Sequence, residues 1–356
     1  MRILLVTNDY PPKAGGIQQY LAGLVRSLPG EVRVMAPGAG ATAEDGVVRG
    51  RARWMLPTRR VRRWIQREIE AFSPDILVFG APTPLAHLGS GLRRRTGVPY
   101  AVLCYGAEVT LPAAFPITRQ LVASALRRAD AVLALSAYTA RRVERLVGKP
   151  VSTMGAGIGP HFSPPEEHPA GHVVGCVSRF VPRKGQARVL RAVDRLRREG
   201  VDVSVLLVGT GRDEQRLRRL ADRLGVPTRF EVGVPYDRLP DMYRQMSLFA
   251  MPSRSRWFGL EVEGLGLVYL EASATGIPVV TGDSGGAPET VLPGVTGFVA
   301  DSDEALLDAL RLLTSDPARA REMGGAGSRW VAEEYSWTAV AGRCVASFEA
   351  ALSPSD

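Results

Sequence analysis

The sequence predicts an α/β protein of two doubly wound domains facing a cleft. Three observations carry that reading. Apolar runs of strand length alternate with segments whose apolar residues recur at helical spacing. A strand–turn–helix pattern opens the 356-residue chain and restarts at His172. Between the two halves, residues 155–171 hold Gly155, Gly157, Gly159, Pro160, Pro164, Pro165 and Pro169, a composition that marks an interdomain linker. Two Rossmann-like domains follow, 1–165 and 166–336, with a last helical segment over 337–356.

Arg2 to Thr7 reads as a buried first strand, because its apolar run ends at Asn8-Asp9 and is too short for a signal peptide. It enters Asn8-Asp9-Tyr10-Pro11-Pro12-Lys13-Ala14-Gly15-Gly16 and then a helical pattern from Ile17 to Leu28. Strand, glycine turn and helix together offer backbone N–H groups to phosphate; the plain alternative is a tight turn that needs a small residue at Gly16. Glu31 to Ala36 is a second strand, and the Gly- and Ala-rich residues 37–53 read as a loop. From Thr58 to Phe72, Val61, Trp64, Ile65, Ile69 and Phe72 fall at helical spacing while Arg59, Arg60, Arg62, Arg63 and Arg67 crowd the first turns. Such a helix either lies on an anionic bilayer or packs on the sheet with its arginines in water. Asp75 to Gly80 is a buried strand, and His87, on an apolar stretch, is structural. Tyr100 to Tyr105 is a strand running into Gly106-Ala107-Glu108-Val109, and Ala131 to Leu135 closes the half.

In the second half, His172 to Ser178 is a strand, followed by Ser178-Arg179-Phe180-Val181-Pro182-Arg183-Lys184-Gly185. A departing nucleoside diphosphate builds negative charge that cations must meet. Arg179 suits a bidentate phosphate contact and Lys184 a point charge. Only three of the 45 basic residues are lysines, which singles Lys184 out; the alternative is a basic turn in a basic protein. Val203 to Val208 is a strand, with an arginine-rich helix to Leu224. Phe230 to Val234 is a short strand, Leu239 to Met246 a helix and Leu248 to Pro252 a strand. Helices follow over Asp303–Leu313, Ala318–Glu333 and Trp337–Phe348.

The stretch Glu261 to Glu289 says most about function. Gly264 and Gly266 open the apolar run Leu265 to Ala274, and Gly276 and Pro278 stop it before a strand at Val279-Val280. The helix start at Gly264, Leu265, Gly266 and Leu267 turns N–H groups and partial positive charge toward an anion such as a diphosphate. Glu263 and Glu271, if both helical, stand about 12 Å apart along the axis. A carboxylate beside a diphosphate is repelled, so Glu263 needs a compensating role there. Contacting sugar hydroxyls, or a positive charge developing on a sugar ring, would supply one. Glu271 is able to take two ribose hydroxyls as a bidentate acceptor. The plain alternative is an amphipathic helix between two strands.

Composition narrows the classes. The length suits two domains with large cores. Cys104, Cys176 and Cys344 are scattered without metal or redox spacing, which fits a reducing cytoplasm. No apolar run reaches membrane-spanning length. The net charge of +9 is almost wholly arginine and suits anionic partners. No zinc-finger, RRM or helix-turn-helix pattern supports nucleic acid.

Glu263-x7-Glu271, Gly276-Ile-Pro-Val and Gly285-Gly286-Ala-Pro-Glu289 together resemble the signature of glycosyltransferase family 4. The opening Asn-Asp-Tyr-Pro-Pro and Gly-Gly-Ile-Gln run is similar to the phosphatidylinositol mannoside mannosyltransferases within it. The resemblance covers nearly the whole chain. It implies a GT-B fold whose last helix crosses back onto the first domain, and a retaining, metal-independent hexosyl transfer from a nucleotide diphosphate sugar, with GDP-mannose the favoured donor. No metal or cofactor is implied, the sugar nucleotide being a co-substrate. It further implies Glu263, Arg179 and Lys184 as catalytic residues. Gly16, Val234, Gly264, Leu265, Gly266, Leu267, Glu271 and Tyr105 would bind the donor, Val234 through its backbone, and Asn8, Tyr10 and Gln18 the acceptor, a lipid or glycolipid. That acceptor favours an anionic membrane surface met through 58–72 and a place on the inner face of the cell membrane. Two departures stand out: Tyr105 replaces the family's usual histidine, and Trp257 and Phe258 replace usual glycines. The alternatives are a UDP-sugar donor with a soluble or natural-product acceptor, a nucleotide-sugar binder without turnover, and, more distantly, a GT-B epimerase.

Overall fold

The apolar runs pair with one another as parallel strands in two separate sheets, seen in a computed structural model that describes residues 1–13, 15–38, 45–113, 115–167, 169 and 171–353, the side chains of Leu111, Ala113 and Phe258 excepted. Ala14 of the expected first turn, 39–44 of the expected loop, His168 and Ala170 of the linker, 354–356 and the Phe258 bulk lie outside the described residues. The chain forms two compact units, Met1–Gly157 with Trp337–Asp356, and Ile158–Ser336. No helix among the described residues is long and apolar enough to cross a membrane.

In chain order, unit 1 contains β1 (Arg2–Val6), α1 (Gly16–Ser27), β2 (Glu31–Pro37), β3 (Val47–Gly50), α2 (Arg59–Phe72), β4 (Ile76–Phe79), α3 (Gly89–Thr96), β5 (Tyr100–Cys104), α4 (Ala107–Ala113), α5 (Pro116–Arg127), β6 (Ala131–Ala134), α6 (Ala137–Val147) and β7 (Ser152–Thr153). Unit 2 contains β8 (His172–Val177), α7 (Gln186–Arg198), β9 (Val203–Val208), α8 (Glu214–Leu224), β10 (Thr228–Glu231), α9 (Leu239–Tyr243), β11 (Leu248–Met251), α10 (Leu267–Ala274), β12 (Val279–Gly282), β13 (Gly297–Ala300), α11 (Asp303–Ser315) and α12 (Pro317–Glu334). The last helix, α13 (Trp337–Leu352), belongs to unit 1.

The strand orders are β3-β2-β1-β4-β5-β6-β7 and β10-β9-β8-β11-β12-β13. Each order reverses beside its first strand, and that switch point, at the strands' carboxyl ends, is where doubly wound sheets bind ligands. Central strands such as β4 and β5 are buried along their whole length, which is why they read as continuous apolar runs.

Three strands are not foreseen from the sequence; one, β13, pairs with β12 at the edge of the second sheet. β3 falls within the expected loop 37–53 and pairs with β2 at the sheet edge, Val34 beside Val47. At four half-buried residues it is too short for periodicity to show. β7, two residues long, extends the other edge. The strand expected to reach Val234 ends at Glu231, leaving Val234 in the following turn.

α2 follows its pattern. Thr58 caps it, its hydroxyl accepting the Val61 N–H at 3.3 Å, and Ile65, Ile69 and Phe72 are buried. Arg59, Arg60, Arg63 and Arg67 are exposed. The guanidinium groups of Arg2 and Arg33 cover the Phe72 ring at 4.6 and 4.3 Å.

α13 is seated by one aromatic residue. The Trp337 ring lies so close to Gly23 and Gly157 that an added Cβ would come within 2.1 and 2.2 Å of it, and it tilts against Tyr20 at 5.6 Å. Gly23→Ala is therefore expected to destabilise the protein by about 1–3 kcal/mol through overpacking. The loss should shrink in a Trp337→Leu background, because the two changes share one contact. Melting temperatures of the four proteins measure this, and simple additivity would contradict it.

Candidate active site

At the carboxyl end of β8 the chain makes a single 3-10 turn, Pro182–Lys184. The turn directs two cationic side chains inward: Arg183 and Lys184 are 9% and 8% exposed. Both meet one carboxylate oxygen. Lys184 Nζ stands 2.6 Å and Arg183 Nη1 2.9 Å from Glu263 Oε2, and Arg183 Nε reaches Glu261 at 3.3 Å. Burial pushes the Glu263 carboxyl up, but the opposing charges of Lys184 and Arg183 outweigh it and hold it below its ordinary range. With Glu261, two carboxylates stand against two cations, and removing Glu263 would strand both buried cations.

Glu263 is fixed by its backbone too. Its N–H donates to Ser284 Oγ at 3.2 Å, and its carbonyl accepts the Gly286 N–H at 2.9 Å. Gly285 makes that approach possible: its φ is 60°, and an added Cβ would come within 2.1 Å of the Glu263 carbonyl. The Gly285-Gly286 pair thus holds the loop bearing the carboxylate.

Glu263 lies four residues before α10 rather than in it, so the 12 Å helical spacing to Glu271 does not apply. The two glycines at 264 and 266 break the helical path, Gly266 with φ 93°. Leu265 is buried, while Gly264, Gly266 and Leu267 at the helix start are half-buried. Tyr269 fixes the helix on β11 by donating its hydroxyl to the Met251 carbonyl at 2.8 Å.

Glu271 is 2% exposed. Its oxygens accept the Tyr243 hydroxyl at 2.7 Å and the Tyr236 hydroxyl at 3.2 Å. Burial pushes its carboxyl up to about 7, against these two bonds.

Not every expected residue joins these groups. The Arg179 side chain is exposed and makes no ion pair among the described residues; its carbonyl accepts from Gln186 at 2.9 Å. Val234 is half-buried beside the Tyr236 turn. Arg183, Ser284, Tyr236 and Tyr243 do not stand out in the sequence. Arg183 carries a signal, as the neighbour of Lys184; the tyrosines, 28 and 35 residues from Glu271, carry none.

In unit 1, the Asn8 amide is committed to the Met55 backbone, with bonds of 2.9 and 2.8 Å. Tyr10 is buried under the Arg49 guanidinium at 5.5 Å. Gln18 and Lys13 both donate to Asp9 Oδ1, at 2.7 and 2.6 Å. Tyr105 stands edge-on to Tyr20 at 5.7 Å, and its hydroxyl is buried without a partner among the described residues. Burial first, then the nearby Tyr20 and Glu108, push that phenol well above its ordinary value, so it stays a donor. Gly16, the first residue of α1, is exposed, and an added Cβ there would meet nothing within 4 Å. The fold does not require its small size.

Family models cover both units: "Glycosyltransferase Family 4" over residues 14–160 and "Glycosyl transferases group 1" over 162–330. A GDP-mannose-dependent alpha-(1-6)-phosphatidylinositol monomannoside mannosyltransferase of Mycolicibacterium smegmatis is 40% identical, over 94% of this chain and 95% of that protein. The chain belongs to glycosyltransferase family 4. A Corynebacterium glutamicum relative, GDP-mannose-dependent monoacylated alpha-(1-6)-phosphatidylinositol monomannoside mannosyltransferase, is 35% identical over 94% of each chain. The crystal structure of Anabaena HepE in complex with UDP matches the glycosyltransferase with a TM-score of 0.79 at 18% identity, over 98% of this chain and 100% of that one. Sucrose-phosphate synthase from Thermosynechococcus elongatus gives 0.77 at 19%, over 98% of each. These structures share the GT-B fold.

The raised Glu271 carboxyl has a measurable consequence. Its ordinary value is 4.5 and its folded value about 7. Between the two, the folded protein keeps a proton that the unfolded chain has lost, so stability falls as pH rises from about 4.5 through about 7. Glu271→Gln should flatten that part of the melting-temperature profile and be the more stable protein at pH 8. Parallel profiles for the two proteins would contradict the assignment.

Proposed function

We propose that this glycosyltransferase is a retaining, metal-independent mannosyltransferase that moves mannose from GDP-mannose onto a phosphatidylinositol mannoside. The observation that carries the chemistry is the buried Glu263 carboxylate held by Lys184 and Arg183 at the switch point of the unit 2 sheet. The relatives named for this reaction match along nearly the whole chain and favour this donor and acceptor.

In this reading Lys184, Arg183 and Arg179 meet the diphosphate, helped by backbone N–H groups over Gly264–Leu267. These fixed cations stabilise the leaving charge without a metal. Glu263, released from them by the arriving phosphates, turns to the sugar. Glu271 takes the ribose, and the Val234 backbone meets the base. In unit 1 we assign Gly16, whose open position leaves room for close approach, and the unpartnered Tyr105 hydroxyl to the donor. Tyr10 and Gln18 serve the acceptor; Asn8 serves it by holding the Met55 segment. The acceptor hydroxyl attacks the anomeric carbon on the face from which the diphosphate leaves. The C–O bond to phosphate breaks as the new glycosidic bond forms, and the leaving phosphate takes the hydroxyl proton. No protein base is needed.

The acceptor is met at the inner face of the membrane. A groove of about 690 Å³ between α2 and segment 49–58 is lined by Arg51, Arg60 and Arg67 with Trp54, Leu56 and Trp64, a mixture suited to anionic lipid.

Transfer of labelled sugar from GDP-mannose and from UDP-sugars into a lipid extract tests the reading; transfer from UDP-sugars alone would overturn the donor assignment. Lys184→Ala should lose ~2–5 kcal/mol in kcat/KM for the donor, as loss of a buried charge partner does. Unchanged kinetics would remove Lys184 from the site. Arg60→Glu with Arg63→Glu should weaken binding to anionic vesicles by about 1 kcal/mol per charge removed, leaving GDP binding intact. Unaltered vesicle binding would remove α2 from the membrane contact.

A further inference from the structure

The two hydroxyls on Glu271 are not equivalent. Tyr243 is fully buried, its ring edge-on to Phe162 at 5.8 Å and tilted against Phe249 at 5.9 Å. It cannot move without opening the core. Tyr236 is 43% exposed and opens a single 3-10 turn, Tyr236–Arg238. Its ring leans edge-on against Phe162 at 5.9 Å and against the exposed His161 at 6.2 Å. Its bond to Glu271 is also the longer one, 3.2 Å against 2.7 Å. Glu271, at 2% exposed, is already saturated by these two donors on the sides they occupy. A ligand hydroxyl arriving from solvent competes with the donor that is able to leave.

We propose that Tyr236 gates the ribose site: its hydroxyl holds the place on Glu271 that a ribose hydroxyl takes when the nucleotide binds, and swings away as it does so. The proposal rests on the reading of Glu271 as the ribose acceptor and adds a residue that sets its affinity for ribose. Burial, then the charge of Glu271, push the Tyr236 phenol far above neutrality, so it competes as a donor across the working pH range. In the closed state the Tyr236 ring shields the carboxylate from water. In the open state a nucleotide lacking ribose hydroxyls has nothing to put in its place. The gate therefore lowers affinity for a nucleotide whose ribose hydroxyl displaces it and leaves one without ribose hydroxyls unaffected.

The test is calorimetric titration of the full chain and of Tyr236→Phe with GDP and with 2′,3′-dideoxy-GDP. Tyr236→Phe keeps the ring and its packing, and removes only the competing hydroxyl. The variant should bind GDP about three- to tenfold more tightly, the worth of one hydrogen bond no longer broken. Its affinity for the dideoxy nucleotide should be unchanged, since that ligand does not displace the hydroxyl. Weaker or unchanged GDP binding by the variant would overturn the gate and leave Glu271 as a ribose site. An equal gain for both nucleotides would also overturn it, as the effect would then be independent of ribose. If the Tyr236→Phe chain, with the competing hydroxyl gone, binds both nucleotides equally, or neither, the ribose reading itself fails and the gate with it.

Discussion

One carboxylate oxygen shared by two buried cations organises this protein's chemistry. Arg183 and Lys184 cannot be buried at the end of β8 without a counter-charge, because desolvating them alone would cost several kcal/mol each. Glu263 supplies that charge from a loop on the other side of the sheet's switch point, 79 residues beyond Lys184. The loop must in turn be held, and Ser284, Gly285 and Gly286 hold it through backbone contacts too close for any side chain at Gly285. The result is a pair of inward cations kept assembled by internal anions. Such a pair suits a ligand that brings its own negative charge, since the arriving charge replaces the internal one with little reorganisation of the cations.

The fold is largely legible in the sequence because parallel sheets write themselves as apolar runs separated by helical periodicity. Strands with both faces buried, such as β4 and β5, leave no ambiguity. β3, β7 and β13 escape because edge strands of four residues or fewer, none buried throughout, have no pattern to read. Within the site, Lys184 stands out by its rarity and Glu263 by its glycine entrance. Their direct pairing does not, because nothing in local spacing reports a contact made across 79 residues. Arg179 is more conspicuous than Arg183 because a motif identifies a turn, not which of its arginines points inward. The inward one is Arg183, and Arg179 lies in solvent.

Unit 1 shows the opposite kind of evidence. Its candidate ligand groups are recognised by what the fold does not ask of them. Gly16 has space for a side chain that is not there, and Tyr105 carries a buried hydroxyl that no described residue satisfies. Buried polar groups in folded proteins are normally paired, so an orphan donor marks a place where a ligand or water completes the site. Asn8, by contrast, spends its amide on Met55, and its contribution is to shape the segment that carries Trp54.

The most direct test of this account is a crystal structure of the protein with GDP bound. The account predicts the diphosphate against Lys184 Nζ and Arg183, the 2.6 Å bond from Lys184 to Glu263 broken, and the Glu263 carboxylate turned toward the sugar position. A diphosphate bound elsewhere, with Glu263 still clamped by both cations, would contradict it.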